Sequence, residues 1–247
     1  MAAHYDDPQY SYSQYWKGRD YEHLSEVIAI NSLLVDKKFT SSVDIGGGFG
    51  RLTPFISKHS KKTVVVEPSN KLRFQASKNL HPLPNIRVLP GTAQATTLPN
   101  SSQDLAMFIR VIHHLPDPLP AFNEIHRILK PGGLLILEFA NSHHFKARIQ
   151  SWITGQPILL VPIEKRSQIN IKRHTIPFVN HSPQTIIKLL NKTGFSVINQ
   201  LSVSNFRSPL IKQVIPQPTL LGLEKSLQSL LGKIFFGPSI FLLAQKT

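Results

Sequence analysis

The chain has 247 residues, of which 41% are hydrophobic and 17% charged, so it has room for one α/β core with insertions and does not read as a disordered tail. It contains no cysteine, which excludes disulfides, thiolate metal sites and cysteine nucleophiles. The formal net charge of +14 is uneven, because residues 1–140 hold 15 Lys and Arg against 12 Asp and Glu, whereas residues 141–247 hold 13 against 2.

The basic second half favours an anionic partner, which would be a phosphorylated or carboxylated small molecule, an anionic membrane surface or nucleic acid. The alternative is a solvated basic face that has no specific partner. No run approaches the roughly 20 apolar residues of a membrane span, and residues 1–15 lack the apolar core of a signal peptide. We therefore expect a cytoplasmic protein that is soluble or peripheral to a membrane.

Residues 41–140 alternate short apolar runs with stretches that are typical of helices. The runs are almost continuously apolar, as in strands covered on both faces, and they occupy residues 42–45, 63–66, 86–89, 105–111 and 134–139. Before the last run, Asp117 is placed to cap a helix in which Pro118 would be the first residue. This repetition predicts a doubly wound, Rossmann-like α/β fold with a mostly parallel sheet.

The strand–helix rhythm stops after residue 140. Residues 141–180 are rich in Pro, His, Lys and Arg, which suggests a basic lid insertion. Two further strands are predicted at 195–201 and 239–244, and between them residues 205–235 carry leucines at helical spacing. That helix would pack on the edge of the sheet; the alternatives are a flap over an apolar substrate or an interfacial helix.

We therefore expect a single domain with four parts along the chain. These are an N-terminal helical cap (1–40), a ligand-binding core (41–140), the basic lid (141–180) and the C-terminal strands with their helical insertion (181–247).

The sequence VDIGGGFGR at residues 43–51 joins the first predicted strand to a helix. Glycines allow a sharp turn and let a ligand lie directly on the backbone, and the helix start offers free N–H groups. The dinucleotide pattern would place its third glycine at position 51, where the chain has Arg51. Glycine instead alternates at positions 46, 48 and 50, which suits an amino-acid tail and a ribose better than a pyrophosphate.

Two later segments complete a predicted nucleoside site. Glu67 ends the second strand, 21 residues beyond Gly46, where a carboxylate accepts hydrogen bonds from ribose hydroxyls. Ser69 is a natural N-cap for the next helix. Thr92 and Ala93 follow the third strand, at the place where an adenine edge would lie.

In this order the motifs resemble those of class I S-adenosylmethionine-dependent methyltransferases, and the nearest group includes the ubiquinone and menaquinone C-methyltransferases. They are DIGGGFG (44–50), VEPS (66–69), PGTA (90–93), LP (98–99), IHHL (112–115) and LKPGG (129–133). The resemblance covers about residues 40–140. The ending FLLAQK (241–246) also resembles the last strand of that fold, which implies a seven-stranded sheet with an antiparallel last strand.

The resemblance implies that S-adenosylmethionine is the cofactor and that its methionine part is held by Asp44, Gly46 and Gly48. Arg110, just past the fourth strand, would line the methionine end. Arg19 would pair with the cofactor carboxylate, and a surface position is the alternative for this residue.

Other residues would hold the nucleoside part of the cofactor. Glu67, followed by Pro68, would bind the ribose, and Thr92 with Ala93 would bind the adenine. The family usually has an acid where Thr92 stands, so Thr92 replaces the adenine contact only in part. The segment at 12–19 resembles the one that closes over the cofactor in relatives.

An activated methyl donor requires alignment from the protein rather than a nucleophile. A general base helps transfer to oxygen or carbon, and His113 and His114, which follow the fourth strand, are the candidates. No metal site is expected, because His143, His144, His174 and His181 fit no common ligand spacing and have no accompanying carboxylates.

The sequence thus predicts methyl transfer to a small-molecule acceptor that is anionic, lipid-like or both. A nucleic-acid or protein methyltransferase is the rival, but the Asn/Asp-Pro-Pro-Tyr segment of amino-group methylases is absent, since residues 110–113 read RVIH. More distant alternatives are an NAD-dependent oxidoreductase, a cofactor-binding module without catalysis and a membrane-associated scaffold.

Overall fold

The structure is a computed structural model that describes residues 5–7, 11–173 and 175–247. Its strands are β1 (Phe39–Ile45), β2 (Ser60–Val66), β3 (Ile86–Leu89), β4 (Gln103–Phe108), β5 (Leu129–Ala140), β6 (Ile163–Glu164), β7 (Val179–Asn180), β8 (Phe195–Val203) and β9 (Ser239–Lys246). Seven of these form one sheet in the order β3-β2-β1-β4-β5-β9-β8, and β6 pairs separately with β7.

Only β9 runs against the other strands of the large sheet. The pairs among β1 to β5 are parallel, whereas β9 is antiparallel to both β5 and β8. The predicted fold class, including its antiparallel last strand, is confirmed. The strand order reverses between β1 and β4, and such a switch point leaves a ligand crevice at the carboxyl edge of the sheet.

Helices cover both faces of the sheet. They are α1 (Tyr12–Tyr15), α2 (Asp20–Leu33), α3 (Thr53–Ser57), α4 (Asn70–Leu80), α5 (Leu119–Ile128), α6 (Phe145–Thr154), α7 (Gln168–Lys172), α8 (Pro183–Lys192), α9 (Pro209–Val214) and α10 (Gln217–Gly232), with a 3-10 turn at Ile112–His114. One apolar core lies under α5 and α8, and includes Phe122 and Leu190. The other lies under α2 and α3, and includes Ile30 and Ile56.

Two predicted boundaries are wrong for local reasons. The strand predicted to run to residue 111 ends at Phe108, because Arg110 adopts a φ of +62° that breaks the extended backbone. The helix predicted to begin with Pro118 starts at Leu119, with Pro118 as its N-cap residue. Asp117 nevertheless accepts a hydrogen bond from the Leu119 amide at 3.0 Å.

The insertion between β8 and β9 contains α9 and α10. Helix α10 packs on β8, the edge strand of the sheet, and on α2, as in the first of the three interpretations of its leucines. Its buried Glu224 accepts hydrogen bonds from the Tyr21 hydroxyl and the Ser204 amide, both at 2.6 Å. Among the described residues, no helix combines the length and the hydropathy that a membrane-spanning segment requires.

Candidate functional site

A cavity of about 280 Å³ lies at the carboxyl ends of β1, β2 and β4. It brings together eight of the eleven predicted site residues, from four separate segments. These are Gly46, Gly48, Glu67, Pro68, Thr92, Ala93, Arg110 and His114. Tyr5, Tyr12, Leu72, Gln94 and Val111 complete the lining. Of the remaining three predicted residues, Asp44 and His113 are buried behind the wall and Arg19 lies outside it.

The glycine turn after β1 forms the floor of this cavity. Gly46 and Gly48 have φ angles of +69° and +58°, in the left-handed region that glycine adopts without strain. A Cβ on Gly46 would collide with the Val111 side chain, and one on Gly48 would lie 3.3 Å from the Tyr12 ring. The turn therefore presents backbone without side chains to the cavity, which would let a ligand such as S-adenosylmethionine lie directly on it.

Glu67 is 3% exposed and faces this turn. Its Oε2 accepts a hydrogen bond from the Gly48 amide at 3.0 Å, and its Oε1 accepts one from the Ser69 amide at 2.9 Å. Burial raises the pKa of Glu67, although both amides act in the opposite direction. Each oxygen of an ionised carboxylate has a second acceptor position, so Glu67 fits a ribose diol.

Asp44 supports the turn from below and does not line the cavity. Its Oδ2 accepts a hydrogen bond from the Thr53 hydroxyl at 2.6 Å. A Cβ on Gly47 would lie only 2.8 Å from the same oxygen. Burial raises the pKa of Asp44 to about 7, against the opposing effects of the Thr53 hydrogen bond and the Arg51 charge.

The predicted methionine end is built around a carboxylate that the sequence reading missed. Glu26 is fully buried and accepts from Arg110 Nε at 2.7 Å and from Arg51 Nη2 at 2.6 Å. The Arg51 guanidinium also lies 3.4 Å from the centre of the Trp16 ring. Glu26 thus fixes both arginines beside the cavity. The available signal was an acid followed directly by the apolar run at 27–30 of α2.

Arg19 is not placed in this cluster. Its guanidinium lies 4.1 Å from the centre of the Tyr15 ring, and its side chain does not line the cavity. Its predicted pairing with the cofactor carboxylate therefore stays a prediction that the geometry does not favour.

The two histidines after β4 have different surroundings. His114 lines the cavity, with Nδ1 2.8 Å from the Pro177 carbonyl oxygen and Nε2 2.8 Å from the Tyr5 hydroxyl. His113 is 6% exposed, and its ring centre lies 4.7 Å from that of Phe178. Burial, reinforced by the neighbouring His114 and Arg110, holds the pKa of His113 well below its usual range. Only His114 is positioned to contact a ligand.

A second cavity of about 450 Å³ lies at the same edge of the sheet, where β5 and β8 end and β9 begins. Rings and aliphatic groups form much of its wall, and Phe145 stacks on Phe236 at 4.8 Å between ring centres. Its polar lining includes His144, Lys146 and Arg207 but no carboxylate. The structure therefore offers an apolar cavity with a positive rim, next to the first.

No metal centre is indicated in the described parts of the chain, where no group of three potential ligands comes together. His181 is buried with Nε2 3.2 Å from the Ile112 carbonyl oxygen, and His143 lies against Ser142. His174 lies outside the described residues.

Comparison with known proteins agrees with this geometry. A methyltransferase domain family matches residues 43–137. An uncharacterized methyltransferase of Mycobacterium tuberculosis is 24% identical over 185 residues, which cover 70% of this chain and 72% of that protein. A ubiquinone/menaquinone biosynthesis C-methyltransferase of Pseudoalteromonas translucida is 32% identical over 109 residues, which cover 41% and 43%. Several other curated relatives are also matched over less than half of their length.

Among solved structures, an S-adenosylmethionine-dependent methyltransferase of Thermotoga maritima, described as a possible histamine N-methyltransferase, superimposes with a TM-score of 0.61. It covers 96% of this chain and 95% of its own at 22% identity, so it supports the fold. Three observations therefore point to the same family: the matching methyltransferase domain, the strand order of the sheet, and the glycine turn that faces the buried Glu67 carboxylate. Residues 43–137 of this chain therefore form a methyltransferase domain, and the chain as a whole has the Rossmann-like fold of S-adenosylmethionine-dependent methyltransferases.

Proposed function

We propose that this chain transfers the methyl group of S-adenosylmethionine to a small acceptor that has an anionic group and an apolar, ring-containing body. The observation that carries the proposal is the first cavity, which joins the bare glycine turn, the Glu67 carboxylate and the His114 imidazole in one lining. The second cavity, with its positive rim, supports the nature of the acceptor.

The first cavity would hold the cofactor with its nucleoside towards Glu67, Thr92 and Ala93 and its amino-acid part towards Arg110. Bound S-adenosylmethionine supplies a methyl group on a sulfonium, which is electrophilic without further activation. The residues of the chain then have to orient the acceptor and exclude water. Tyr5 and Tyr12 lie over the cavity from the N-terminal side and would contribute to that exclusion.

His114 would act as the general base. A carbonyl oxygen only accepts, so the Pro177 carbonyl fixes the proton on Nδ1 and leaves the Nε2 lone pair towards the cavity. The Tyr5 hydroxyl donates to Nε2 in this tautomer. The proton released by a hydroxyl, amine or carbon acid of the acceptor would pass to Nε2, directly or through the Tyr5 hydroxyl.

The second cavity would hold the body of the acceptor. Desolvation, followed by the charges of Arg207, Lys165 and Lys146, lowers the pKa of His144, so three cations converge on this place. Arg207 has no ion pair among the described residues, and one of the charges that lower its pKa is that of Arg110 in the first cavity. A carboxylate or phosphate would neutralise these cations while a ring packs near Phe145 and Phe236.

The names of two relatives support an acceptor with a ring and an apolar tail. The Pseudoalteromonas translucida relative is a quinone-biosynthesis C-methyltransferase. A 2-methyl-6-phytyl-1,4-hydroquinone methyltransferase of Spinacia oleracea is 33% identical over 92 residues, which cover 37% of this chain and 27% of that protein.

The first experiment is calorimetric titration with S-adenosylmethionine and S-adenosylhomocysteine. We expect binding that Glu67→Gln weakens about tenfold, because a neutral amide is a poorer acceptor for the ribose diol. Glu164→Gln, which alters an exposed carboxylate outside both cavities, is the matched control. Folded wild-type protein that binds neither nucleoside would overturn the proposal.

The second experiment identifies the acceptor. Isotopically labelled S-adenosylmethionine and a host metabolite and lipid extract are incubated with the protein, and labelled products are separated by charge and analysed by mass spectrometry. Labelled products should be anionic, and Arg207→Gln should raise the KM for them about tenfold while Arg173→Gln leaves it unchanged. Products that are all neutral would refute the acceptor class but not the methyl transfer.

The base is tested with the identified acceptor. His114→Gln should lower kcat about a hundredfold and remove the limb of the pH profile that reports its titration, whereas His143→Gln, outside both cavities, should not. An unchanged pH profile in His114→Gln would remove His114 from this role.

A further inference from the structure

Helix α6 turns its apolar residues towards solvent. None of its ten residues is buried, and the exposed fractions are 47% for Phe145, 41% for Ile149, 85% for Trp152 and 70% for Ile153. At about 100° per residue these four positions fall on one arc of the helix. A helix of a globular domain normally packs this arc on the core. In α6 only Phe145, at the start of the helix, stacks on another part of the chain, at Phe236, and the other three apolar side chains of the arc face solvent.

Two cations border this arc. On the same helical wheel, Lys146 lies at one margin of the apolar arc and Arg148 at the other. Lys146 forms no ion pair within the described residues, and Arg148 donates to the carbonyl oxygens of His143 at 2.7 Å and Ile234 at 2.6 Å. No carboxylate therefore neutralises either charge. An apolar arc between basic residues is the pattern of helices that lie in a membrane interface.

The segment after α6 also exposes apolar side chains. Leu159, Leu160 and Val161 are 59%, 56% and 59% exposed, and Ile169 in α7 is 63% exposed. Residues 145–173 contain six Lys and Arg but one acid, Glu164, which is paired with Arg166 at 2.7 Å. Large exposed apolar patches mark interaction sites, and this one lies in a strongly positive field.

We propose that residues 145–173 form a docking surface for an anionic lipid bilayer, with the apolar arc of α6 inserted among the lipid headgroups. The excess of positive charge selects this occupant, because a bilayer that contains anionic lipid attracts each surface Lys or Arg by about 1 kcal/mol. A second copy of the chain would instead bring two positive surfaces together, which is repulsive.

Docking would also bring the second cavity close to the bilayer. Phe145 and Lys146 begin α6 and line that cavity. The cavity would thus lie within about one helical turn of the headgroups, where an amphiphilic acceptor concentrates. The docking itself rests only on the surface residues and stands whether or not the proposed acceptor is correct.

The test is flotation of the full chain with vesicles of phosphatidylcholine alone or with about one third phosphatidylglycerol. Fluorescence provides the second readout, because Trp152 is 85% exposed and Trp16, the second of two tryptophans, is buried. We expect flotation and a blue shift with the anionic vesicles only. Brominated lipid should quench the emission if Trp152 enters the headgroup layer.

Two variants separate the apolar and the charge contributions. Trp152→Ser with Ile153→Ser should weaken vesicle binding roughly tenfold or more, and Lys165→Gln with Lys172→Gln should weaken it about tenfold and reduce its salt dependence. The matched control changes Val35→Ser and Phe74→Ser, which are 63% and 74% exposed elsewhere on the molecule; it should bind vesicles as the wild type does.

Binding of S-adenosylhomocysteine, measured on the same samples, should be equal in all variants and shows that each is folded. Equal binding to neutral and anionic vesicles, or no binding to either, would overturn the proposal. So would concentration-dependent dimerisation that Trp152→Ser with Ile153→Ser abolishes in the absence of vesicle binding, because a second copy would then be the occupant.

Discussion

The two parts of the chain place their cations in contrasting surroundings. In residues 1–140, Arg51 and Arg110 share the buried Glu26, and Arg127 pairs with Glu124 at 2.7 Å. In residues 141–247, Lys212 reaches across to Glu22, and among the described residues the one ion pair made within this part is the exposed Arg166–Glu164 pair.

The chain thus contains two kinds of cation: positioned charges, which a buried carboxylate holds in place, and available charges, which have no carboxylate partner. A guanidinium held by a buried carboxylate has a fixed position and little remaining field, so it can shape a cavity. A cation without a carboxylate keeps its field and can neutralise a ligand or a lipid headgroup. The arginines beside the cofactor cavity are therefore preorganised by an ion pair within the chain. The cations of the second cavity and α6 would instead be neutralised by an anionic partner.

The largest effect should come from Glu26→Gln. Removal of the buried charge leaves Arg51 and Arg110 without the carboxylate that they share, and we expect the free energy of unfolding to fall by about 3–5 kcal/mol. Chemical denaturation of the wild type and of Glu26→Gln at neutral pH measures this loss. Burial would raise the pKa of Glu26, but Arg110 and Arg51 lower it overall. This stabilisation is therefore present above the ordinary pKa of glutamate and is lost as the pH falls through the lowered value.

The matched variant in the other part is Glu164→Gln. It also removes a carboxylate that lies 2.7 Å from an arginine, but the Glu164 side chain is 31% exposed and the pair is screened by solvent. We expect a change of less than about 1 kcal/mol. Equal losses in the two variants would contradict the distinction between positioned and available charge.

The next effect concerns two glycines with similar backbone conformations. Gly46 and Gly155 have φ angles of +69° and +66°, but a Cβ would collide with Val111 at Gly46 and would meet open space at Gly155. Both alanine variants should lose about 1 kcal/mol of stability from backbone strain, and Gly46→Ala should lose more because its Cβ collides with Val111. Only Gly46→Ala should also lose affinity for S-adenosylhomocysteine, about a hundredfold by calorimetry; comparable affinities in the two variants would show that no ligand rests on the turn.

The sequence predicted the parts of the site that depend on local backbone. The Gly46 and Gly48 turn and the acid at the end of β2 follow from short-range rules, and the mostly parallel α/β sheet follows from the alternation of strands and helices. Contacts across long sequence distances were not predictable in this way. Tyr5 reaches His114, and Glu26 reaches Arg110, only after the N-terminal segment and α2 pack on the finished sheet.

The outward face of α6 was missed for a different reason. Its apolar spacing is the same as that of a helix packed on a core, and periodicity does not say whether a core is present on that side. Exposure in the structure decides it. Asp44, in β1, was assigned to the ligand because its motif resembles the cofactor loop of the family, whereas its side chain turns under the loop towards Thr53.

An effect that depends on pH should follow from Asp44, whose pKa is shifted in the direction opposite to that of Glu26. Burial raises its pKa from 3.8 to about 7, so the folded state holds this proton more tightly than the unfolded state. Its contribution to stability is full below about pH 4 and is lost as the pH rises to about 7, with a slope of at most about 1.4 kcal/mol per pH unit. The difference in unfolding free energy between wild type and Asp44→Asn should show this slope; a flat difference would mean that Asp44 stays ionised.

The smallest change in stability should come from Arg207→Gln, although this variant is expected to impair acceptor binding. Arg207 has no ion pair to lose among the described residues. Arg110 repels it more strongly than Glu22 attracts it. The free energy of unfolding should change by less than about 0.5 kcal/mol in either direction. Because the two charges have different surroundings, removal of the guanidinium at Arg110 should instead leave the buried Glu26 with Arg51 as its remaining ion-pair partner and destabilise the fold by several times that amount, about 2–4 kcal/mol. Chemical denaturation of Arg207→Gln and Arg110→Gln under the same conditions measures both changes. A loss of stability at Arg207 as large as that at Arg110 would show that Arg207 stabilises the fold, and would contradict its assignment as a cation available to bind a ligand.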